Sequence, residues 1–268
     1  MYKLIALDMD GTLLKEDKTI SNRTKETLDK AREKGVKVVL ASGRPIEGLA
    51  KYLEELDLVS EDDYVLSYNG ALVQNVGNKE IVATNGLTGK DLELLYNISK
   101  EVGVNIHAFS KSEGLITPKN NKYTELEATI NGIKIKEKDF DLVGADEEIV
   151  KIMMIDEPEV LEGAIEKLPK DLYEKYTVVR SAPYFLEFLN VDGNKGEGLK
   201  ALSEHLGISE KEVIAMGDAG NDRHMIEYAG LGVAMGNAFP EIKEIANYVT
   251  MTNEEDGVAH VIEKFVLS

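Results

Sequence analysis

Residues 2–14 read Tyr2-Lys3-Leu4-Ile5-Ala6-Leu7-Asp8-Met9-Asp10-Gly11-Thr12-Leu13-Leu14. Positions 2–9 are apolar without the alternation of a half-buried strand, the pattern of a strand covered on both faces in a parallel sheet. The run ends in two acids, Asp8 and Asp10, and then in Gly11, which allows a sharp turn. Ligands of open α/β sheets sit beyond the carboxyl ends of the parallel strands, so the chemistry is expected there.

The same grammar continues outward. Ser21 is placed to cap a helix with Leu28 and Ala31 on its inner face and Gly35 as its stop. A second buried run, 36–41, breaks at Ser42-Gly43-Arg44-Pro45, with Pro45 opening another helix through about Leu58. A third strand, 64–67, leads into Tyr68-Asn69-Gly70-Ala71. This β-α-β-α-β order implies a parallel sheet with right-handed crossovers. Near the other end, a helix at 195–205 is stopped by Gly207, and a strand at 212–216 ends in Gly217-Asp218-Ala219-Gly220-Asn221-Asp222. A helix through Ala229, a strand at 232–235 and helices at 240–246 and 257–266 follow.

Between these halves the texture changes. Helices at 88–102 and 158–168 stand among strands at 106–109, 149–155, 176–179 and 185–189, without strict alternation. The expected architecture is α/β: a Rossmann-like parallel-sheet core of residues 1–82 plus 191–268, carrying an inserted α+β unit of residues 83–190.

Composition narrows the function. The 268 residues are 43% hydrophobic, enough for a sizeable core and against disorder. Charges interrupt every apolar stretch, so no membrane span is expected. The opening residues reach Asp8 before any signal-peptide apolar region can develop, which predicts no secretory signal. Zero cysteines exclude disulfides, thiolate metal sites and cysteine nucleophiles, and fit a reducing, cytoplasmic interior. A net charge of −18 argues against nucleic acid or an anionic membrane as partner. The stretch 83–190 carries 13 bases and 20 acids against 18 and 29 elsewhere, so the insertion is no basic arm. An anionic substrate would be repelled by this field. It would need a divalent cation with a few well-placed lysine, arginine and backbone N–H groups.

Four polar groups fall at strand ends or a matching loop: Asp8 with Asp10, Ser42 with Arg44, Lys195, and Asp218 with Asn221 and Asp222. On extended backbone, Asp8 and Asp10 would point the same way, and two close carboxylates need a cation, a shared proton or different roles. One could attack phosphorus and the other carry the proton; a solvated acidic turn is the plainer alternative. Oxygen ligands such as Asp218, with no cysteine and few histidines, suit Mg²⁺ rather than zinc. Asp222 also reads as a helix cap. Ser42-Gly43-Arg44 at a helix start offers a hydroxyl, N–H groups and a guanidinium for a phosphate, or simply a cap and a surface arginine. Lys195, beside Gly196, can reach inward to neutralise a nucleophile and phosphoryl oxygens. In the insertion, His107 and Tyr123 are conceivable contacts, though packing or surface roles are commoner for both. No single group is diagnostic; the ordered set is.

That set, from Asp8-Met9-Asp10-Gly11-Thr12-Leu13-Leu14 through Ser42-Gly43-Arg44 and Lys195-Gly196 to Gly217-Asp218-Ala219-Gly220-Asn221-Asp222, resembles the four motifs of the haloacid dehalogenase superfamily of phosphohydrolases. The large insertion and Tyr68-Asn69-Gly70-Ala71 are similar to its Cof-type branch, and Lys151–Pro158, Ser181–Glu187 and Met225–Gly230 look like YidA-like sugar-phosphate phosphatases. The resemblance implies Asp8 as nucleophile and Asp10 as general acid/base. Mg²⁺ would lie on the Asp8 carboxylate, the Asp10 carbonyl and Asp218. Ser42, Gly43, Arg44, Lys195 and Asn221 would bind substrate, with Asp222 supporting the metal loop from behind. The insertion would be a cap setting substrate selectivity. The expected activity is Mg²⁺-dependent hydrolysis of small phosphorylated metabolites, sugar phosphates foremost, through an aspartyl-phosphate. A phosphomutase or phosphotransferase on the same scaffold, or a phospho-aspartate receiver module, are the alternatives.

Overall fold

The computed structural model describes every residue except Pro45, Asn85, Gly132 and Asp192. Pro45, expected to open the second helix, thus lies outside the described residues. The chain forms two compact units, Met1–Thr84 with Gly193–Ser268, and Asn85–Asp192.

The first unit begins with β1 (Leu4–Leu7), whose four residues are all buried. The strand is shorter than the apolar run because the backbone turns at once: Leu13 and Leu14 donate N–H to the carbonyls of Asp8 and Met9 at 3.2 and 2.9 Å. Gly11 sits at φ +86° within that turn. Helix α1 (Asn22–Glu33) has Ser21 as its cap, the side chain accepting from Thr24 N, and buries Leu28 and Ala31. Gly35 follows at φ +83°, a conformation without steric cost only for glycine.

After β2 (Lys37–Ala41) the expected long helix is instead a 3₁₀ turn, Ile46–Gly48, and a short α2 (Ala50–Glu55). Gly48, with no side chain to favour the helix, marks the break. Then β3 (Tyr64–Ser67) leads into an antiparallel hairpin, β4 (Leu72–Asn75) and β5 (Ile81–Thr84), absent from the sequence reading.

The second unit runs β6 (Leu87–Thr88), α3 (Gly89–Val102), β7 (Asn105–Ser110), β8 (Gly114–Thr117), α4 (Lys122–Asn131), β9 (Ile135–Glu137), β10 (Glu148–Ile155), α5 (Pro158–Ile165), α6 (Leu172–Lys175), β11 (Tyr176–Ala182) and β12 (Phe185–Asn190). Its sheet has the order β11-β12-β10-β7-β8-β9, with β6 beside β10. Leu92, Leu95 and Leu161 from the helices pack on Ile106, Ile152, Met154 and Phe188. Elements β8, α4 and β9 were not expected.

The chain returns to the first unit with α7 (Lys195–Leu206), β13 (Val213–Gly217), α8 (Arg223–Tyr228), β14 (Leu231–Ala234), α9 (Pro240–Ile245), β15 (Tyr248–Val249) and α10 (Gly257–Ile262). Among the described residues its sheet reads β15-β14-β13-β1-β2-β3-β4-β5, parallel from β15 to β3. Separate apolar clusters, one around Ile5, Leu7, Leu28 and Leu40 and one around Leu4, Ala6, Leu199 and Leu202, cover its two faces. This sandwiching explains the unbroken apolar strands. Among the described residues no helix is long and apolar enough to cross a membrane.

Candidate active site

Strands β1 and β13 are neighbours, with Leu7 opposite Met216, so Asp8 and Asp218 leave the same edge of the sheet side by side. The N–H of Asp8 donates to Met216 O at 3.0 Å and fixes its start. One ligand oxygen each from Asp8, Asp218 and Asp222 lies within 4.8 Å of the others.

Lys195 opens α7 and its side chain is 0% exposed, donating to Asp8 Oδ1 at 2.5 Å and to Asp222 Oδ1 at 2.6 Å. The helix start is seated by backbone. The Asn194 side chain accepts from Glu197 N, and Gly70, at φ +83°, leaves no room for a Cβ, which would meet Asn194 O and Lys195 Cα. Tyr68 and Asn69 are also left-handed, at φ +52° and +56°. Such strain is tolerated where the surroundings over-determine it, as at functional sites.

Asp222 is fully buried and, contrary to one sequence reading, makes no side-chain cap to α8. Its Oδ2 accepts from the N–H groups of Asp218 and Ala219 at 2.9 and 3.0 Å. With Oδ1 on Lys195, both oxygens are engaged, so Asp222 braces the loop that presents Asp218. Thr12, buried, donates to Asp218 Oδ1 at 3.0 Å. Gly11 touches the other side: a Cβ there would overlap the Asp218 carboxylate.

Three carboxylates therefore lie around one ammonium that bonds two of them, Asp8 and Asp222. Burial pushes the Asp8 pKa up to about 7 despite the Lys195 charge, with Asp222 and Asp218 adding to the rise. Burial also raises Asp218, against the Thr12 hydrogen bond. Lys195 would be lowered by its own burial, but the Asp8 and Asp222 charges outweigh that and raise it. The excess negative charge on hard oxygen donors suits a divalent cation held by Asp8 and Asp218, with Asp222 already committed.

Asp10 does not join this cluster. The Gly11 turn ends the extended backbone, so Asp8 is buried while Asp10 is exposed, and the shared direction expected of the pair is not found. Arg44 Nη2 contacts both Asp10 oxygens at 2.7 Å and its Nε contacts Oδ2 at 3.0 Å; Lys18 Nζ donates to Oδ1 at 2.7 Å. Partial burial disfavours the Asp10 anion, but the bonds from Lys18 and Arg44 prevail and lower its pKa. Arg44, expected on substrate, is here a bidentate clamp on Asp10.

Ser42 is buried after β2, its Oγ accepting from Arg44 N at 3.2 Å. Gly43 is exposed and lies against Asn69. Asn69 N donates to Ser42 O at 2.8 Å, and its Oδ1 accepts from Asn221 Nδ2 at 3.0 Å, tying the two loops together. Thr12, Lys18 and Asn69 are thus site neighbours to which the sequence reading gave no role, although Thr12 and Asn69 lie within stretches it quoted. In the second unit, His107 is fully buried, and Tyr123 stacks on Tyr184 at 5.1 Å with its hydroxyl donating to Glu157.

Comparison with known proteins covers nearly the whole chain. The model of the family of haloacid dehalogenase-like hydrolases matches residues 5–262. YxeH of Bacillus subtilis is 46% identical over 270 residues, with 100% of both chains covered. YitU of the same organism, a 5-amino-6-(5-phospho-D-ribitylamino)uracil phosphatase, is 31% identical over 275 residues, covering 98% of this chain and 97% of its own. The crystal structure of a haloacid dehalogenase-like hydrolase from Bacteroides thetaiotaomicron superposes with a TM-score of 0.64 at 38% identity, covering 98% and 99% of the two chains.

Proposed function

Because this chain belongs to the haloacid dehalogenase-like hydrolase family, we propose that it hydrolyses small phosphorylated metabolites, sugar phosphates foremost, through a phosphoryl group carried on Asp8. The observation that carries this reading is the buried Asp8 carboxylate, held by a fully buried Lys195 beside Asp218 at the ends of adjacent parallel strands. Phosphoric monoester hydrolysis is the activity of such an enzyme; how these residues perform it follows from their chemistry.

An Asp8 oxygen attacks phosphorus. The P–O ester bond breaks, its electron pair goes to the departing alkoxide, and Asp10, entering this step protonated, supplies the proton that makes it an alcohol. Water then attacks the acyl phosphate, giving its proton to Asp10, while the electron pair of the cleaved bond returns to the Asp8 carboxylate. The net change is ester plus water to alcohol plus phosphate. Lys195 balances Asp8 and the phosphoryl oxygens, while Ser42 and Asn221 orient the phosphoryl group. Bound by Asp8 and Asp218, with the Asp10 carbonyl, Mg²⁺ would supply the positive charge that lets two anions meet. Asp222 keeps Lys195 and the Asp218 loop in place.

The second unit is proposed as the cap that sets selectivity, which places the choice of leaving group in residues 83–190. The relation to YitU keeps a phosphorylated ribitylamino-uracil among substrates to try. The test is phosphate release from a panel of sugar and other small phosphates, with Mg²⁺ and with EDTA, for the native protein and Asp8→Asn. Mg²⁺-dependent release, lost in Asp8→Asn, is expected. Retained activity in that variant would remove Asp8 from the nucleophile role. Recovery of an isomeric sugar phosphate instead of free phosphate would make the enzyme a mutase.

A further inference from the structure

We propose that Lys18 is a positioning residue for Asp10, holding its carboxylate for proton transfer when Arg44 turns to an anionic substrate. The inference rests on the reading of Asp10 as general acid/base. Its geometric basis is the loop that presents Lys18. Lys18 adopts φ +64°, an unusual conformation for a residue with a side chain. The loop is tied on both sides of it: Lys15 N donates to Thr19 O and Lys18 N to Lys15 O, both at 3.0 Å. Asp17 Oδ1 accepts from Thr19 N and Oγ1 at 3.0 and 2.6 Å. Glu16 N is anchored to Glu254 Oε1 at 2.7 Å. The Lys15–Thr19 loop, fixed in this way, aims one ammonium at one carboxylate.

The ion pair itself adds little to stability. The Lys18 and Asp10 side chains are 55% and 44% exposed, and an ion pair that open contributes about 0–1 kcal/mol. The left-handed Lys18 closes the hydrogen-bonded turn between Lys15 and Thr19, so the turn rather than the ion pair sets its backbone.

Tyr52 touches the Arg44 side chain and the Lys18 backbone. Its ring lies 5.6 Å from the Arg44 guanidinium, and its hydroxyl donates to the Lys18 carbonyl at 3.4 Å. Tyr52 is buried on α2, so the Arg44 side chain and the Lys18 backbone rest on one support. Arg44 lies two residues after Ser42 in the loop expected to bind phosphate, and its planar fork suits either Asp10 or a phosphate. If it engages substrate, Asp10 loses three contacts and keeps the Lys18 bond. Lys18 then determines where the proton-carrying oxygen points.

The experiment compares kcat/KM for a sugar phosphate, whose alkoxide needs a proton to leave, with kcat/KM for p-nitrophenyl phosphate, whose phenolate does not. The ratio of the two on one sample is independent of the fraction folded. In Lys18→Met the sugar-phosphate to aryl-phosphate ratio should fall about tenfold, part of the roughly 10²–10⁴-fold of general acid help. Lys18→Arg, which keeps a cationic donor, should restore it. An unchanged or raised ratio in Lys18→Met would overturn the proposal, as would failure of the arginine variant to recover it. Asp10→Asn, measured alongside, separates the two levels. If its ratio does not fall, the reading of Asp10 fails, and the proposal with it; if its ratio falls while Lys18→Met stays at the native value, only the positioning role of Lys18 fails.

Discussion

His107 makes acid sensitivity a quantitative expectation. It lies on β7, fully buried, with Nδ1 3.3 Å from Thr124 Oγ1 and Nε2 3.1 Å from Met153 Sδ. Burial, reinforced by the Lys151 charge, pushes its pKa from 6.5 down to about 3. The folded second unit therefore admits only the neutral ring, while the unfolded chain binds a proton below about pH 6.5. Stability from this group is complete above that value and is lost as pH falls through the window toward about 3. Within the window each pH unit removes about 1.4 kcal/mol, so moving from about pH 7 to about pH 5 removes about 2 kcal/mol. His107→Leu abolishes this titration and retains similar bulk. Urea unfolding followed by circular dichroism, at both pH values, should show the native protein losing about 2 kcal/mol more than His107→Leu over that interval. Equal losses in the two proteins would mean that the ring is hydrated or protonated in place, and the argument from burial would fall.

Other expectations concern the site itself. Asp10→Asn should slow turnover of a sugar phosphate by roughly 10²–10⁴-fold without altering the melting curve, and native turnover would end its role in proton transfer. In Gly11→Ala the new methyl group displaces Asp218 and forces a side chain into φ +86°. The Mg²⁺ concentration for half-maximal activity should then rise, and an unshifted titration would detach Asp218 from the cation. Lys195→Met leaves Asp8 and Asp222 buried without their ammonium, a change expected to cost about 3–5 kcal/mol and all measurable turnover. Near-native stability in that variant would show that the carboxylates do not depend on it.

The parallel core was legible because burial on both faces writes itself into composition: β1, β2, β3 and β13 are apolar runs ended by polar turns. Ser21, Gly35 and Gly207 marked helix ends for reasons of backbone geometry, and each does so. Helix α4 was not legible, since it turns Thr124, Glu127 and Ala128 inward rather than a stripe of leucines. Strand β9 is mostly exposed, and the β4–β5 hairpin is short, so neither carries a clear period. At the site, sequence order pointed to the residues that cluster at the strand ends. It could not foresee that the Gly11 turn parts Asp10 from Asp8, nor that Thr12, Lys18 and Asn69 do their work through loop hydrogen bonds, which no spacing encodes.

The pairing of β1 with β13 has a consequence for biogenesis. Thr12 and Asp218, which share a hydrogen bond, are 206 positions apart, and Lys195 reaches Asp8 across 187. During synthesis the Asp8 strand emerges first, and its neighbour strand and its ammonium arrive only after the whole second unit has been made. A nascent chain halted before α7 has Asp8 without its ammonium, and β1 lacks one of its two flanking partners. Loop closure over such a separation makes completion of the core a late event. The second unit, with local pairings such as β7–β8 and β11–β12, can fold while the first waits. Catalytic competence would thus switch on abruptly near the end of translation, and truncated products would be inert rather than partly active.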